Sequence, residues 1–212
     1  MADLEFFFDP MCPWAWVTSR WVVEVQALRD YTVTWRFISL AVLNEQRTST
    51  WYTPEYRRGH AVGLECLRVA DAVRLDQGNE AVARLYTAFG TGIHNEHRGS
   101  ELREHSVSFI EGALRAADLD TSWALHGVDE SHDEYIRADT ALALSRAGDD
   151  VGTPILTFHP GRPDENSFFG PVIATIPRGE AATKLWDAIE VIATTSGMAE
   201  LKRSMRGELT FD

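Results

Sequence analysis

A strand–helix–strand pattern near the start of the chain constrains its fold more than any other feature of the sequence. The run from Leu4 to Phe8 is apolar and aromatic, which is typical of a buried strand. After a turn that contains two prolines, apolar residues recur at helical spacing: Val17, Trp21, Val25 and Leu28. Thr32 to Ile38 is rich in β-branched and aromatic residues and predicts a second strand. Two strands joined by a crossover helix form a parallel pair, so the pattern predicts an α/β fold.

The middle of the chain carries helix patterns and helix caps but no convincing strand pattern. The predicted helices run from Pro54 to just before Gly78, Glu80 to Phe89, Leu102 to Ala117 and Asp133 to Ala147. Gly90, Gly92 and the segment from His94 to His97 predict a loop between two of these helices. We therefore predict an all-helical subdomain of residues 47–148, inserted into an α/β domain that consists of residues 1–46 and 149–212.

Strand patterns return after this block. Thr153 to Phe158 and Ser167 to Ile173 predict an antiparallel pair around a turn that contains Pro, Gly and Asp. Pro177 then predicts the start of a final long helix.

Composition narrows the class of protein and its environment. The net charge of −12 disfavours binding to nucleic acid or to an anionic membrane, because both depend on Lys and Arg that pair with phosphates. No window is long and apolar enough for a membrane span, and no signal peptide is recognised. Two cysteines, Cys12 and Cys66, are too few for a disulfide scaffold. We therefore expect a cytoplasmic protein without nucleic-acid or membrane partners, either a monomer or a homodimer.

The position of Cys12 favours a reactive thiol. A cysteine just before a helix meets unpaired backbone N–H groups and the positive end of the helix dipole, and both favour the thiolate. Pro13 suits the first helical position, and Trp14 places an aromatic ring beside the sulfur. Cys66 lies inside a predicted helix, where a buried and inert cysteine is the expected interpretation.

Several segments in a fixed order resemble one known family. The chain resembles the DsbA-like branch of the thioredoxin superfamily, a thioredoxin fold with an inserted all-helical subdomain. Within that branch it is most similar to the actinobacterial mycothiol-dependent nitroreductase group. The resemblance rests on Asp9-Pro10-Met11-Cys12-Pro13-Trp14, Ser39-Leu40-Ala41-Val42-Leu43-Asn44, Ile93-His94-Asn95, Asp150-Val151-Gly152-Thr153-Pro154, Phe168-Phe169-Gly170-Pro171 and Ile176-Pro177-Arg178-Gly179-Glu180.

The resemblance implies a set of site residues. Cys12 would be the attacking thiolate of an active-site motif completed by Pro13, Trp14 and Ala15. Thr153 and Pro154 would form a cis-proline loop that faces it, whereas the residues alone would favour a plain strand-start proline at position 154. The substrate pocket would be shaped by Trp14, Asn44, Tyr56 and His94. For the last three of these, a turn residue, a half-buried helix face and a helix-capping loop histidine are the structural alternatives.

Ala15 is a departure from the family pattern, since relatives commonly carry a second cysteine there. A dithiol enzyme resolves its mixed disulfide by attack from that second cysteine, and Ala15 cannot attack. We therefore expect monothiol chemistry, in which a low-molecular-weight thiol such as mycothiol or glutathione releases Cys12. The alternative is that Ala15 is an engineered substitution of a natural cysteine, which the sequence alone does not distinguish from a natural alanine.

No metal site and no tightly bound cofactor are predicted. His94 and His97 are close in sequence to each other and to His105, but no cysteine is near enough to complete a usual zinc set. The sequence also contains no glycine-rich nucleotide motif. The predicted co-substrate is a small thiol, and the predicted substrate is a disulfide or a small molecule, with nitro compounds implied by the resemblance.

Two other functions remain open at this point. Hydroxychromene-carboxylate isomerases and kappa-class glutathione transferases resemble this architecture and use a small thiol without a dithiol. A family member that binds ligands without catalysis is the third possibility, with Ala15 as its main support.

Overall fold

A four-stranded mixed sheet forms the centre of the protein. The computed structural model describes residues 2–203 and 205–212. The strands lie in the order β2, β1, β3, β4, with β1 parallel to β2 and antiparallel to β3, and β3 antiparallel to β4. They are β1 (Leu4–Phe8), β2 (Val33–Phe37), β3 (Ile155–Phe158) and β4 (Asn166–Phe169). The central pair, β1 and β3, therefore joins segments from opposite ends of the sequence.

Alternation along β1 divides the core into two layers. Phe6 and Phe8 belong to the main hydrophobic cluster, whereas Phe7 belongs to a second cluster with Ala143 and Ile155. This division follows from the two-residue period of a strand, which points successive side chains to opposite faces. Both faces of the sheet are therefore covered by other elements.

Eight α-helices in the described part of the chain surround the sheet. They are α1 (Pro13–Leu28), α2 (Leu40–Leu43), α3 (Pro54–Gln77), α4 (Asn79–Gly90), α5 (Gly99–Glu104), α6 (Ser106–Ala116), α7 (Asp133–Ala147) and α8 (Gly179–Thr194). Three further helical turns occur among them: a π-helical turn (Thr91–Asn95) and two 3₁₀ segments (Thr121–Val128 and Glu130–His132).

Two sets of contacts hold helices over the two faces of the sheet. On one face, the rings of Trp21 in α1 and Trp186 in α8 have centroids 5.2 Å apart, and the Trp21 indole donates to the Ala182 carbonyl oxygen at 2.9 Å. On the other face, Arg36 of β2 pairs with Glu5 of β1 at 2.7 Å and with Asp139 of α7. The buried ion pairs join α7 to the two parallel strands.

Most predicted elements are present, and four predictions are wrong. The strand predicted from Ser167 to Ile173 ends at Phe169, because Pro171 has no amide hydrogen to donate to a neighbouring strand. The predicted loop after Gly90 is the π-helical turn, because the backbone of α4 continues through it. The predicted helix from Leu102 to Ala117 is split at His105, whose non-helical backbone separates α5 from α6. The final helix begins at Gly179, two residues after Pro177. No strand lies between Phe37 and Ile155, a stretch that the structure describes completely.

Among the helices formed by the described residues, none combines the length and the apolar character needed to cross a bilayer.

Candidate active site

The turn between β1 and α1 presents Cys12 as the N-cap residue of α1. Pro13 is the first residue of that helix, and the Ala15 amide donates to the Cys12 sulfur at 3.5 Å. The thiol in turn donates to the Thr153 carbonyl oxygen at 3.5 Å, so the sulfur lies between a helix N-terminus and the segment before β3. An N-cap position leaves amides pointing at the sulfur, which is the arrangement expected for a nucleophilic thiol.

The protonation of Cys12 differs from the expectation. Burial raises the pKa of the Cys12 thiol to about 12, although the Ala15 amide acts to lower it. The nearby Asp9 carboxylate adds to the increase. Only 7% of the Cys12 surface is exposed, so desolvation outweighs the helix N-terminus and the closed arrangement favours the thiol over the thiolate.

Asp9 is a buried acid next to this turn. Its two carboxylate oxygens accept the Met11 amide at 2.8 Å and the Leu40 amide at 2.7 Å. Burial nevertheless raises the pKa of Asp9 to about 7, so this carboxyl group changes charge near neutral pH. Asp9 thus links the Cys12 turn to the start of α2.

The loop that faces Cys12 contains a cis peptide bond between Thr153 and Pro154, in keeping with the resemblance. The Thr153 hydroxyl donates to the Phe7 carbonyl oxygen at 3.4 Å, which attaches the loop to the end of β1. A second cis bond joins Gly170 to Pro171.

Two glycines let the helical segment approach the Cys12 turn closely. A Cβ atom at Gly63 would lie 2.8 Å from Met11 Cγ, and a Cβ atom at Gly90 would lie 2.1 Å from the Trp16 ring. Both distances are shorter than a van der Waals contact, so only glycine fits without movement. The Trp16 indole also donates to Asn95 Oδ1 at 3.0 Å, which attaches the π-helical turn to α1.

His94 lies within the π-helical turn and contacts the Cys12 turn, so it does not cap a helix. It is buried, and its Nε2 donates to the Pro10 carbonyl oxygen at 2.9 Å while its ring packs on Trp16 and Phe211. Burial lowers the pKa of His94 to about 4, so the ring is neutral at pH 7. A neutral imidazole supplies no positive charge to a thiolate, and the geometry gives His94 a positioning role.

The other predicted pocket residues occupy different environments. Trp14 is half-buried, and the Arg206 guanidinium lies 5.2 Å from its ring centroid. Asn44 is buried at the end of α2, where its side-chain amide donates to the Leu40 carbonyl oxygen at 2.8 Å. Tyr56 is 56% exposed in the first turn of α3. The structure thus connects Asn44 to Asp9 through Leu40 and leaves the Tyr56 ring open to solvent.

The segment of residues 205–212 lies beside the site, and no pattern in the sequence predicts this position. The Phe211 carbonyl oxygen accepts from Asn95 Nδ2 at 2.6 Å, and the Thr210 amide donates to the Ala174 carbonyl oxygen at 2.8 Å. With Arg206 over Trp14, these contacts hold the segment against α1 and the π-helical turn.

The two other residues that decide the chemistry are Ala15 and Cys66. Ala15 is completely buried at the position where a second thiol would stand. Cys66 is completely buried within α3, and burial raises the pKa of its thiol well above the ordinary value. Both cysteines are free thiols in the structure.

Two cavities lie near these elements. One of about 1050 Å³ is bordered by β2, α4 and α6, and one of about 300 Å³ is bordered by Trp16, Asn95 and Phe211. Neither is lined by Cys12 or by the four predicted pocket residues. The predicted pocket at the sulfur is therefore not one of these two cavities.

Solved structures establish the fold. The chain matches the crystal structure of the probable DsbA oxidoreductase SCO1869 from Streptomyces coelicolor with a TM-score of 0.59 and 16% identity, over 96% of this chain and 94% of the other. The predicted thioredoxin-like fold of DsbA type is confirmed.

Sequence comparison then gives the family. Residues 11–203 match the profile of the family described as "Rv2466c-like: Mycothiol-dependent nitroreductase Rv2466c", and the chain belongs to that family. It is also 29% identical over 210 residues to the uncharacterized protein Rv2286c of Mycobacterium tuberculosis, a match that covers 96% of this chain and 82% of the relative. The family resemblance found from the motifs is confirmed.

Proposed function

We propose that the protein is a thiol-dependent oxidoreductase in which Cys12 works as a lone nucleophile. One observation carries the proposal: the Cys12 sulfur is held at a helix N-terminus, 3.5 Å from the Thr153 carbonyl oxygen, with Ala15 where a resolving thiol would stand. Cys66 is enclosed in α3 and is no substitute. The family description, mycothiol-dependent nitroreductase, supports a small thiol as the second reactant.

The proposed disulfide reaction has two exchange steps. The Cys12 thiolate attacks one sulfur of a substrate disulfide, forms a mixed disulfide and expels the other sulfur as a thiolate. A low-molecular-weight thiolate then attacks the outer sulfur of the mixed disulfide and regenerates Cys12. One disulfide and one thiol are consumed and one disulfide and one thiol are produced, so electrons balance without another cofactor.

Access of substrate and activation of the thiol are coupled in this proposal. Burial is the main cause of the raised pKa of Cys12, and the Ala15 amide opposes it. Any movement that opens the sulfur to solvent removes the cause that raises the pKa and keeps the hydrogen bond that lowers it. Opening therefore favours the thiolate at the moment when a substrate can reach it.

Reduction of a nitro compound is the finer proposal, and the family description supports it. Cys12 and one mycothiol would supply two electrons and two protons and become a mixed disulfide. The nitro group would become a nitroso group and release one water. A second mycothiol would then attack the mixed disulfide, release mycothiol disulfide and regenerate Cys12.

The other predicted roles remain proposals that the geometry supports to different degrees. Thr153 and Pro154 would position the sulfur-containing partner, as their contact with Cys12 favours. Trp14 and Tyr56 would contact a substrate from their partly exposed positions, and Asn44 and His94 would hold the surrounding turns. Residues 47–148 would act as a subdomain that covers this site.

Adduct formation with a disulfide tests the proposal. The folded protein is incubated with glutathione disulfide or mycothiol disulfide, and the adduct is assigned to a peptide by mass spectrometry. We expect one adduct at Cys12 that excess small thiol removes. A Cys12→Ser variant should form none, whereas the matched Cys66→Ser variant should form it fully. Modification of Cys66 alone in the folded protein would overturn the proposal.

A further inference from the structure

A cluster of two histidines and one aspartate lies outside the Cys12 site. His126 Nδ1 is 3.1 Å from His132 Nε2, and Asp129 Oδ2 is 3.7 Å from the first nitrogen and 3.9 Å from the second. The three ligand atoms all lie within 4.8 Å of one another. His126 and His132 belong to the two 3₁₀ segments, and Asp129 is the residue between these segments. The three ligands are therefore spaced three residues apart along the chain.

The separations match those around a tetrahedral cation. Two ligand atoms that are each about 2.1 Å from a zinc ion lie about 3.4 Å apart in tetrahedral geometry. The three observed separations bracket that value, and small side-chain rotations would equalise them. Three protein ligands leave a fourth position open, as in sites that also bind water.

His132 is oriented by a neighbouring carboxylate. The Asp71 carboxylate is 2.8 Å from His132 Nδ1, so this nitrogen carries the proton and Nε2 presents its lone pair to the cluster. The other oxygen of Asp71 accepts from Arg74 at 2.8 Å, which fixes the carboxylate. A carboxylate–histidine pair of this kind is the usual support of a metal-binding imidazole.

The carboxylate of the cluster is prepared in the same way. Asp129 Oδ1 accepts the Ser131 amide at 3.0 Å, and Oδ2 faces the imidazoles. The Asp129 side chain is 45% exposed and the His132 side chain 9%, so an ion could enter from solvent and be held at a buried ligand. Arg68, which donates to the Gly127 carbonyl oxygen, is paired with Asp133 at 2.7 Å. Its charge is therefore balanced locally.

We propose that His126, Asp129 and His132 form a binding site for a divalent transition-metal cation of the zinc type, with Asp71 as the positioning residue of His132. Imidazole nitrogens with one carboxylate are ligands that zinc and its neighbours in the periodic table accept. The site would tie the 3₁₀ segments to α3 through Asp71. The prediction that the chain has no metal site was made on His94, His97 and His105, which are not part of this cluster.

Titration with Zn²⁺ tests the proposal on the full chain, without an affinity tag and after removal of metals with a chelator. Calorimetry with a competing chelator should give one equivalent of bound zinc, both in the natural chain and in a Cys12→Ser variant that lacks the less completely buried thiol. Co²⁺ should give the visible absorption bands of a tetrahedral complex. The melting temperature should rise with free zinc, as expected for an ion that binds the folded state.

Matched variants make the result specific. His126→Ala should weaken zinc binding at least 100-fold and abolish the cobalt bands, and circular dichroism verifies that the variant is folded. His105→Ala, an exposed histidine elsewhere, should leave both unchanged. Asp71→Asn should weaken binding by about 10- to 100-fold without removing the cobalt bands. Absence of stoichiometric zinc, or equal binding in His126→Ala, would overturn the proposal and leave a hydrogen-bonded histidine pair.

Discussion

The turn around Cys12 and the middle of α3 around Cys66 invite comparison, because each buries a free thiol with a raised pKa. Cys66 is surrounded by a continuous helix and is 0% exposed, whereas Cys12 ends a strand-to-helix turn and is 7% exposed. Only Cys12 has an amide donor on its sulfur and a carbonyl acceptor for its proton. Burial alone therefore does not distinguish the two thiols, whereas the backbone groups at the sulfur do, and these groups favour Cys12 as the proposed nucleophile.

The largest expected effect comes from restoring a second thiol. In Ala15→Cys, the new sulfur lies three residues after Cys12 on the first turn of α1 and can attack its mixed disulfide. The glutathione adduct should then stop accumulating, and an internal disulfide should replace it in mass spectra. Ala15→Ser, which adds an oxygen of similar size but no thiol, should keep the adduct. Persistence of the adduct in Ala15→Cys would show that position 15 does not face the sulfur.

The second effect is the pH dependence of alkylation, resolved for each cysteine by peptide mass. With a pKa of about 12, the reaction of Cys12 should accelerate about tenfold per pH unit, or roughly 1000-fold from pH 7 to pH 10. Cys66 should react only through unfolded molecules, where an ordinary pKa makes the rate level off above about pH 8.5. A plateau for Cys12 below that pH would mean that burial does not control its sulfur.

Asp9 raises the pKa of both cysteines, so its replacement tests a cause that the two regions share. The folded pKa of Asp9 is raised to about 7, so folding favours its protonated form and the stability from this group is lost as pH rises through about 7. In Asp9→Asn this pH-dependent loss of stability disappears, because asparagine does not titrate. Relative to the natural chain, the variant should gain on the order of 2 to 3 kcal/mol in unfolding free energy between pH 5 and pH 8, measured by urea denaturation.

The Asp9→Asn substitution also changes the unfolding free energy by an amount that does not depend on pH, and this amount serves as the baseline. Asparagine has one acceptor oxygen where the carboxylate has two, so one backbone hydrogen bond is lost at every pH. If the difference between variant and natural chain is constant from pH 5 to pH 8, the raised pKa of Asp9 is contradicted.

The smallest effect is expected from Gly90→Ala, which acts on the Cys12 region alone. The new methyl group would collide with the Trp16 ring and cost roughly 1–3 kcal/mol of unfolding free energy. Displacement of the π-helical turn should also speed alkylation of Cys12 and leave Cys66 protected. Gly112→Ala in α6 is the matched control, because its Cβ meets nothing within 4 Å, and it should be neutral or slightly stabilising. Equal losses in both variants would contradict the close packing at Gly90.

The sequence predicted the elements whose signals are local. The bounds of α3 follow from Pro54 and Gly78, and the N-cap position of Cys12 follows from the turn before Pro13. The family motifs added the facing loop at Thr153, which no local pattern indicated.

Features set by distant contacts could not be predicted in the same way. Gly90, Thr91 and Gly92 have low helix propensity, yet the turn is helical because Asn95 bonds to Trp16 and His94 to Pro10. The raised pKa of Asp9 depends on burial that only the folded chain creates.

The histidine cluster was missed for a different reason. The sequence argument looked for a cysteine to complete a set of histidine ligands, whereas this cluster is completed by a carboxylate, Asp129, between two histidines six residues apart. The support from Asp71 comes from α3, 61 residues away in sequence, and no local signal connects the two.

The strand order has a consequence for how the chain is made. Phe7 of β1 pairs with Ile155 of β3, so a ribosome must synthesise most of the chain before the central strand gains its second neighbour. Until then, one edge of an apolar strand stays unpaired, and unpaired apolar edges promote aggregation. Early pairing of β1 with β2, and early burial of Phe8 against Tyr86 of α4, would protect the nascent chain during this interval.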